Sequence, residues 1–235
     1  MKAIERTRRR EAVTQLRQLD ERGLNRGSTG NLSMRFEGGF LITPTGMGAD
    51  GLRPEDLVWM DAQGDTCVGL WEPSSEWPFH AAIYKIRPEV QCVVHTHSVH
   101  ATAYSCLRRE LPAFHYMVAV AGGDSVPCTP YHTFGTEVLS LAVAGALRER
   151  NACLLANHGL VAVGESGATA TRIAIEIEAL CEMYLKLLAT GQPVHLLDAQ
   201  QMAEVIDKFS RYGKMARSQE SPRPTQARKP RLAAG

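Results

Sequence analysis

The sequence contains no CxxC pair, no apolar run of membrane-spanning length and no excess of either charge. The six cysteines are scattered, and most sit in apolar stretches such as "QCVV", "ACLLA" and "ALCEMY", where a free thiol behaves as a small hydrophobe. That spacing excludes a cysteine-built zinc module and a CxxC redox centre, and it leads us to expect the reduced thiols of a cytoplasmic protein. With 26 Lys+Arg against 25 Asp+Glu, the formal charge is +1. Nothing in that balance draws the chain to nucleic acid or to an anionic membrane as its main partner. The opening "MKAIERTRRREAVTQL" lacks the apolar centre of a signal peptide, and no later run approaches the ~20 residues that span a bilayer. The loops "GSTGN" and "TPTG" fit neither a dinucleotide fingerprint nor a P-loop, so nucleotide binding is not expected.

What is present is an ordinary globular interior, 44% hydrophobic over 235 residues, enough for one large domain. Ile4, Val13, Leu16 and Leu19 among charges predict an amphipathic helix ending near Gly23. Strands are expected at "NLSMRF", Phe40–Thr43 and Leu57–Met60, with a hairpin turn at Gln63-Gly64. Ser74 or Ser75 is placed to cap a helix running to about Ile86, with Pro78 tolerated in its first turn. A histidine-containing strand and a short helix from Ala101 to Leu107 follow. "LPAFHYMVAVAGG" and "SVPCTPYHTFGT" read as strand-like runs and turns. Thereafter the pattern gives a helix over Thr136–Arg150, strands "NACLLA" and "LVAVG" around an "NHG" turn, a long helix over 167–190 and a last one over Asp198–Tyr212. No internal repeat is found. Residues 1–213 are expected to form the domain. Residues 214–235, basic and nearly free of large apolar side chains, are expected to form a disordered tail.

The chemistry concentrates in "VVHTHSVH". Side chains at i and i+2 of a strand share a face, so His95 and His97 can converge on one ion. A third ligand is then required, and His158, in a turn between two apolar strands, is the best candidate. A lone turn histidine is otherwise an ordinary surface residue. His100 lies beyond the strand and reads as a supporting or core residue. His80, His115, His132 and His195 have no paired spacing and are structural by default. Glu76 stands in the first turn of its helix, where carboxylates are ordinarily favoured by the macrodipole. Ser74 and Ser75 lie where helix N–H groups point outward, a natural phosphate site.

Taken together, "GLNRGSTGNLS", "LITPTGM", "PSSEWPFHAAIYKIRPE", "VVHTHSVHATA", "LPAFHYMVAVAGG", "SVPCTPYHTFGT" and "NHGLVAVG" resemble the class II aldolase/adducin family, in the family's order and from Arg22 to Tyr212. Within it they are most similar to the bacterial branch that cleaves L-fuculose 1-phosphate. The resemblance implies a three-layer α/β/α domain around a mainly antiparallel sheet. It also implies a cyclic homotetramer with active sites between subunits and one Zn2+ per subunit, other divalent metals being alternatives. His95, His97 and His158 would be metal ligands, with Glu76 completing the resting shell and moving off to act as acid/base. Gly30, Asn31, Thr45, Gly46, Ser74 and Ser75 would hold the phosphate. Tyr116 would assist protonation of the aldehyde oxygen from an adjacent subunit, and Tyr212 would close over the site.

The expected reaction is cleavage of L-fuculose 1-phosphate to dihydroxyacetone phosphate and L-lactaldehyde. The alternative substrates are 5-deoxyribulose and 5-(methylthio)ribulose 1-phosphates. A related sugar-phosphate epimerase or dehydratase ranks lower, since epimerases resemble "SSDTPTH" where this chain has "SSEWPFH". A metal-free adducin-like scaffold ranks last. The chain departs from the pattern at Asn157, where histidine is expected, at His132, where a small residue is expected, and in its basic tail. Those departures bear on the aldehyde half of the substrate.

Overall fold

The computed structural model describes residues 2–211. Tyr212, the expected boundary at 213 and the basic segment beyond it lie outside the described residues. Eight strands form one sheet: β1 (Asn31–Phe36), β2 (Gly39–Ile42), β3 (Val58–Asp61), β4 (Cys67–Val68), β5 (Cys92–Thr96), β6 (Cys128–Thr129), β7 (Ala152–Leu155) and β8 (Gly159–Gly164). Their order is β4-β3-β2-β1-β5-β8-β7-β6. Neighbours are antiparallel except β6 and β7.

The two faces of the sheet are covered by different helices. Alternation along β5 sends Cys92 and Val94 into one apolar cluster and Val93 into the other. The first cluster includes Leu32, Met34 and Ala162 under α1 (Ala3–Glu21) and α5 (Gly167–Ala189). α3 (Val99–Ser105) and α6 (Ala199–Arg211) add Tyr104 and Met202 to that side. The second cluster joins Phe40, Val93 and Val161 to α2 (Trp77–Ile86) and α4 (Glu137–Ala146). This is the expected three-layer α/β/α arrangement. Because β5 is covered on both sides, all its residues are buried, which is why its sequence is an apolar run rather than an alternation.

The helix periodicities hold with local corrections. On α5 the stripe Ala170, Ile173, Ile177, Leu180 and Tyr184 is buried. On α1, Val13, Leu16 and Leu19 are buried, whereas Ile4 is 65% exposed. The fourth helix stops at Ala146 rather than Arg150. The third begins at Val99, two residues early, because Glu178 of α5 accepts hydrogen bonds from the backbone N–H groups of His100 and Ala101.

"LPAFHYMVAVAGG" contains no named strand; residues Tyr116–Ala121 wind into a 3-10 helix. The His115 Nδ1 caps it by accepting from the Met117 N–H at 3.2 Å, and Gly122, at φ +85°, ends it. A short apolar run carries no period that separates such a turn from a strand. A further correction concerns the second glycine loop. Extended to Gly51 it has GxGxxG spacing, yet it is followed by a 3-10 turn (Pro54–Asp56) and β3, not by the helix on which pyrophosphate binding depends.

Candidate metal centre

Three segments converge at one end of β1 and β5. The β1–β5 register sets Asn31 directly opposite His95, so both side chains leave the sheet on the face that α2 covers. His97 follows on the same side, just past the strand end. The turn between β7 and β8 supplies His158. Asn157 adopts φ +54° there, a left-handed conformation that asparagine tolerates better than most side chains. Gly159 permits the close approach: a Cβ on it would lie 2.4 Å from the Thr96 carbonyl oxygen and within van der Waals range of the His97 and His95 rings. Glu76 enters from the start of α2. It occupies the N-cap position itself, at φ −96° and ψ 7°, in place of the serine expected there. The Ser74 Oγ accepts from the Glu76 N–H at 3.3 Å.

The four side chains present their ligand atoms within 4.8 Å of one another. His95 Nε2 lies 2.9 Å from His97 Nε2 and 3.2 Å from Glu76 Oε2, and His158 Nε2 lies 3.2 Å from Glu76 Oε1. The three imidazoles stand nearly perpendicular, with centroids 4.8–4.9 Å apart. A tetrahedral ion with bonds of ~2.1 Å sets its donors ~3.4 Å apart, so these spacings suit a divalent metal.

Protonation supports the fit. His95 Nδ1 is 3.0 Å from the Leu160 carbonyl, which can only accept, so the proton sits on Nδ1 and the Nε2 lone pair faces the cluster. Glu76 Oε1 is buried without a hydrogen-bond partner, an arrangement that costs about 1–3 kcal/mol or more unless another group satisfies it. Burial opposes the charge on Glu76, but positive charge at the adjacent His95 and His158 outweighs it and holds the carboxyl well below its usual range, a place that a bound cation would fill. Burial lowers His97 to about 4, leaving it neutral and able to ligate. A carboxylate and three imidazoles so arranged form a group that could hold a divalent metal ion.

The other expected site residues fall in distinct places. A cleft of about 320 Å³ opens beside the cluster, lined by Ser75, Glu76 and His97 together with Tyr131, His132 and Phe134. The Thr43–Gly46 and Glu72–Ser75 segments run side by side: the Thr45 N–H donates to the Glu72 carbonyl and the Ser74 N–H to the Thr43 carbonyl, each at 3.0 Å. The two glycine loops also meet, because a Cβ on Gly48 would strike the Gly27 carbonyl at 2.4 Å. Gly46, at φ +69° with open space around it, faces a second cleft with Ser28. Gly30 is confined differently: a Cβ there would lie 2.3 Å from Asn25 Oδ1 and 2.6 Å from the His95 carbonyl. Asn31 does not point its amide at open solvent; it is buried and donates to Glu76 Oε2 at 2.8 Å. Tyr116 is 51% exposed and does not line the cleft beside the cluster of its own chain.

His100 stays outside the cluster, its Nδ1 bonded to Glu178 at 2.9 Å. His80, structural by default in the sequence, is instead bonded to Asn31 behind Glu76. The overlooked signal was spacing: Glu76 and His80 stand four residues apart, one turn of helix.

Residues 10–185 match the family model described as class II aldolase and adducin N-terminal domain. Over 191 residues the chain is 48% identical to the L-fuculose phosphate aldolase of Escherichia coli (strain K12), covering 81% of this chain and 88% of that protein. Over 197 residues it is 47% identical to a 5-methylthioribulose-1-phosphate/5-deoxyribulose-1-phosphate aldolase of Rhodospirillum rubrum, covering 84% and 88%. A solved L-fuculose 1-phosphate aldolase superposes with a TM-score of 0.83 at 35% identity, covering 87% of this chain and 96% of that one. The chain belongs to the class II aldolase and adducin family.

Proposed function

We propose, from that membership, that this protein is a metal-dependent lyase that cleaves L-fuculose 1-phosphate to dihydroxyacetone phosphate and L-lactaldehyde. The observation that carries the reading is the intact set of Glu76, His95, His97 and His158 converging beside an open cleft. A scaffold that had given up chemistry would have no need to keep it.

Cleavage breaks the C3–C4 bond of the ketose and leaves negative charge next to its C2 carbonyl. One Zn2+ per subunit, the metal we propose, would supply Lewis-acid stabilisation of that charge. His95, His97 and His158 would hold it through neutral ring nitrogens. Glu76, ionised and beside the cleft, would take up the proton that the C4 hydroxyl gives up as the C3–C4 bond breaks and deliver it to C3, giving dihydroxyacetone phosphate; in the synthetic direction it would remove that proton from C3. The backbone of Gly30 and Gly46 and the hydroxyls of Thr45, Ser74 and Ser75 anchor the phosphate, with the N-terminus of α2 contributing its positive end. Asn31, proposed with them for the phosphate, donates its amide to Glu76 Oε2.

Tyr116, exposed on its 3-10 segment, is proposed to serve an adjacent subunit of a homotetramer. Tyr212 is proposed to close the site from the C-terminal side. The protein is assigned to the cytoplasm; no helix among the described residues is long and apolar enough to cross a membrane.

A second reading has a specific motive. The Rhodospirillum rubrum relative is nearly as similar as the Escherichia coli one, and the cleft carries His132 and Asn157. Both positions depart from the fuculose-cleaving pattern. Assay of the metal-loaded protein against L-fuculose, 5-deoxyribulose and 5-(methylthio)ribulose 1-phosphates, with dihydroxyacetone phosphate reduced in a coupled reaction, ranks the substrates by kcat/KM. Release of dihydroxyacetone phosphate from none of them, with epimerisation of L-ribulose 5-phosphate instead, overturns the aldolase reading.

A further inference from the structure

Behind Glu76 runs a buried chain of polar side chains that the proposed reaction does not itself require. Tyr84 Oη lies 2.9 Å from Ser33 Oγ, and Ser33 Oγ lies 2.7 Å from His80 Nδ1. On the far side of the ring, His80 Nε2 lies 2.6 Å from Asn31 Oδ1, and Asn31 Nδ2 lies 2.8 Å from Glu76 Oε2. All five residues are less than a tenth exposed. Two come from β1, two from α2 and one, Glu76, from the N-cap of α2, so the chain bridges the sheet and the helix that carries Glu76. We propose that His80, backed by Ser33 and Tyr84, is a positioning residue that locks the amide of Asn31 and thereby the carboxylate of Glu76.

The direction of every bond follows from its end. An ionised carboxylate only accepts, so Asn31 must donate from Nδ2, which turns Oδ1 toward His80. Oδ1 only accepts, so His80 must carry its proton on Nε2. Nδ1 is then a bare lone pair, and Ser33 must donate to it. The Ser33 oxygen is left to accept from the Tyr84 hydroxyl. Each donor therefore points toward Glu76, and the aligned dipoles favour its negative charge. Burial depresses His80 to about 3, so the ring stays neutral as this tautomer requires. An amide does not pass a proton along, so the chain orients the carboxylate and does not supply its proton.

Without His80, the Asn31 amide is free to rotate and the Glu76 carboxylate loses its fixed angle to the metal and to C3. This role rests on Glu76 as the acid/base. The test uses the full-length, metal-loaded protein and two variants, His80→Leu and Ser33→Ala. In His80→Leu, kcat is expected to fall about 10- to 100-fold, the range seen when a group orienting a metal ligand is removed, with KM within about twofold. Zinc titrated against a chelator should bind about tenfold more weakly. Ser33→Ala should shift both readouts in the same direction by less. It carries the test if His80→Leu does not fold.

In wild-type protein labelled with 15N-histidine, the resonances lost in His80→Leu should be those of an Nε2–H tautomer. An Nδ1–H tautomer, or kcat and zinc affinity within twofold of wild type in the folded variants, overturns the inference. Were Glu76→Gln to keep its turnover, the acid–base assignment would fall, while the tautomer and the chelator titration would still decide the role of His80.

Discussion

Single residues carry most of what is distinctive here. Glu76→Gln preserves the shape of the carboxyl and removes its charge, so the fold should persist while kcat drops by about 10²- to 10⁴-fold, the range for losing a general acid–base group. Stopped assays beside a melting curve separate the two effects. Gly159 offers a different probe. A methyl group there would sit 2.4 Å from the Thr96 carbonyl, so Gly159→Ala should push the His158 turn away from β5. We expect weakened metal binding, measured by chelator competition, without loss of the helical circular-dichroism signal; unchanged affinity would mean that the turn relaxes freely.

The sequence displayed these residues unevenly. His95 and His97 were legible because strand period alone puts them on one face. His158 was legible only through the apolar strands flanking its turn. The helix-start preference for acids masked Glu76, and a lone histidine on a helix facing apolar β-strands gave His80 no signal beyond its spacing from Glu76. That Asn31 faces Glu76 depends on strand register, which no local pattern encodes.

At the scale of elements, the long helix periods and most of the short strands read true, and one short apolar run did not. Twenty-three residues of α5 give a stripe that no other structure accommodates, and its fully buried Ile177 should be costly to trim. Ile177→Ala is expected to destabilise by about 2–5 kcal/mol, visible as a lower denaturant midpoint with unchanged slope. The six-residue turn Tyr116–Ala121, by contrast, looks strand-like in sequence because its apolar run is shorter than any distinguishing period. β4, two residues long and exposed, has almost no pattern to find beyond the hairpin turn before it. Helix ends moved by several residues because tertiary contacts set them, as Glu178 does for α3.

For the whole molecule, pH should act through buried imidazole. His80 titrates at about 3 when folded against ~6.5 for a free histidine. The unfolded chain therefore binds a proton that the folded chain refuses. The stability this contributes is complete above about pH 6.5 and is lost progressively as pH falls toward 3. Urea midpoints of the metal-free protein should be flat from pH 7 to 8 and decline below about 6.5, and the decline should be shallower in His80→Leu. An equal slope in that variant would place the titration elsewhere.

The opposition of Asn31 and His95 across β1 and β5 has one more consequence. Successive strand residues face opposite layers, so a slip of β5 by a single position would turn His95 toward the α5 side and away from Asn31. Such a chain would still bury much of its apolar surface, since β5 is apolar toward both layers. It would, however, have no complete ligand set. An ion held by all four side chains would therefore stabilise one strand alignment over its near misses.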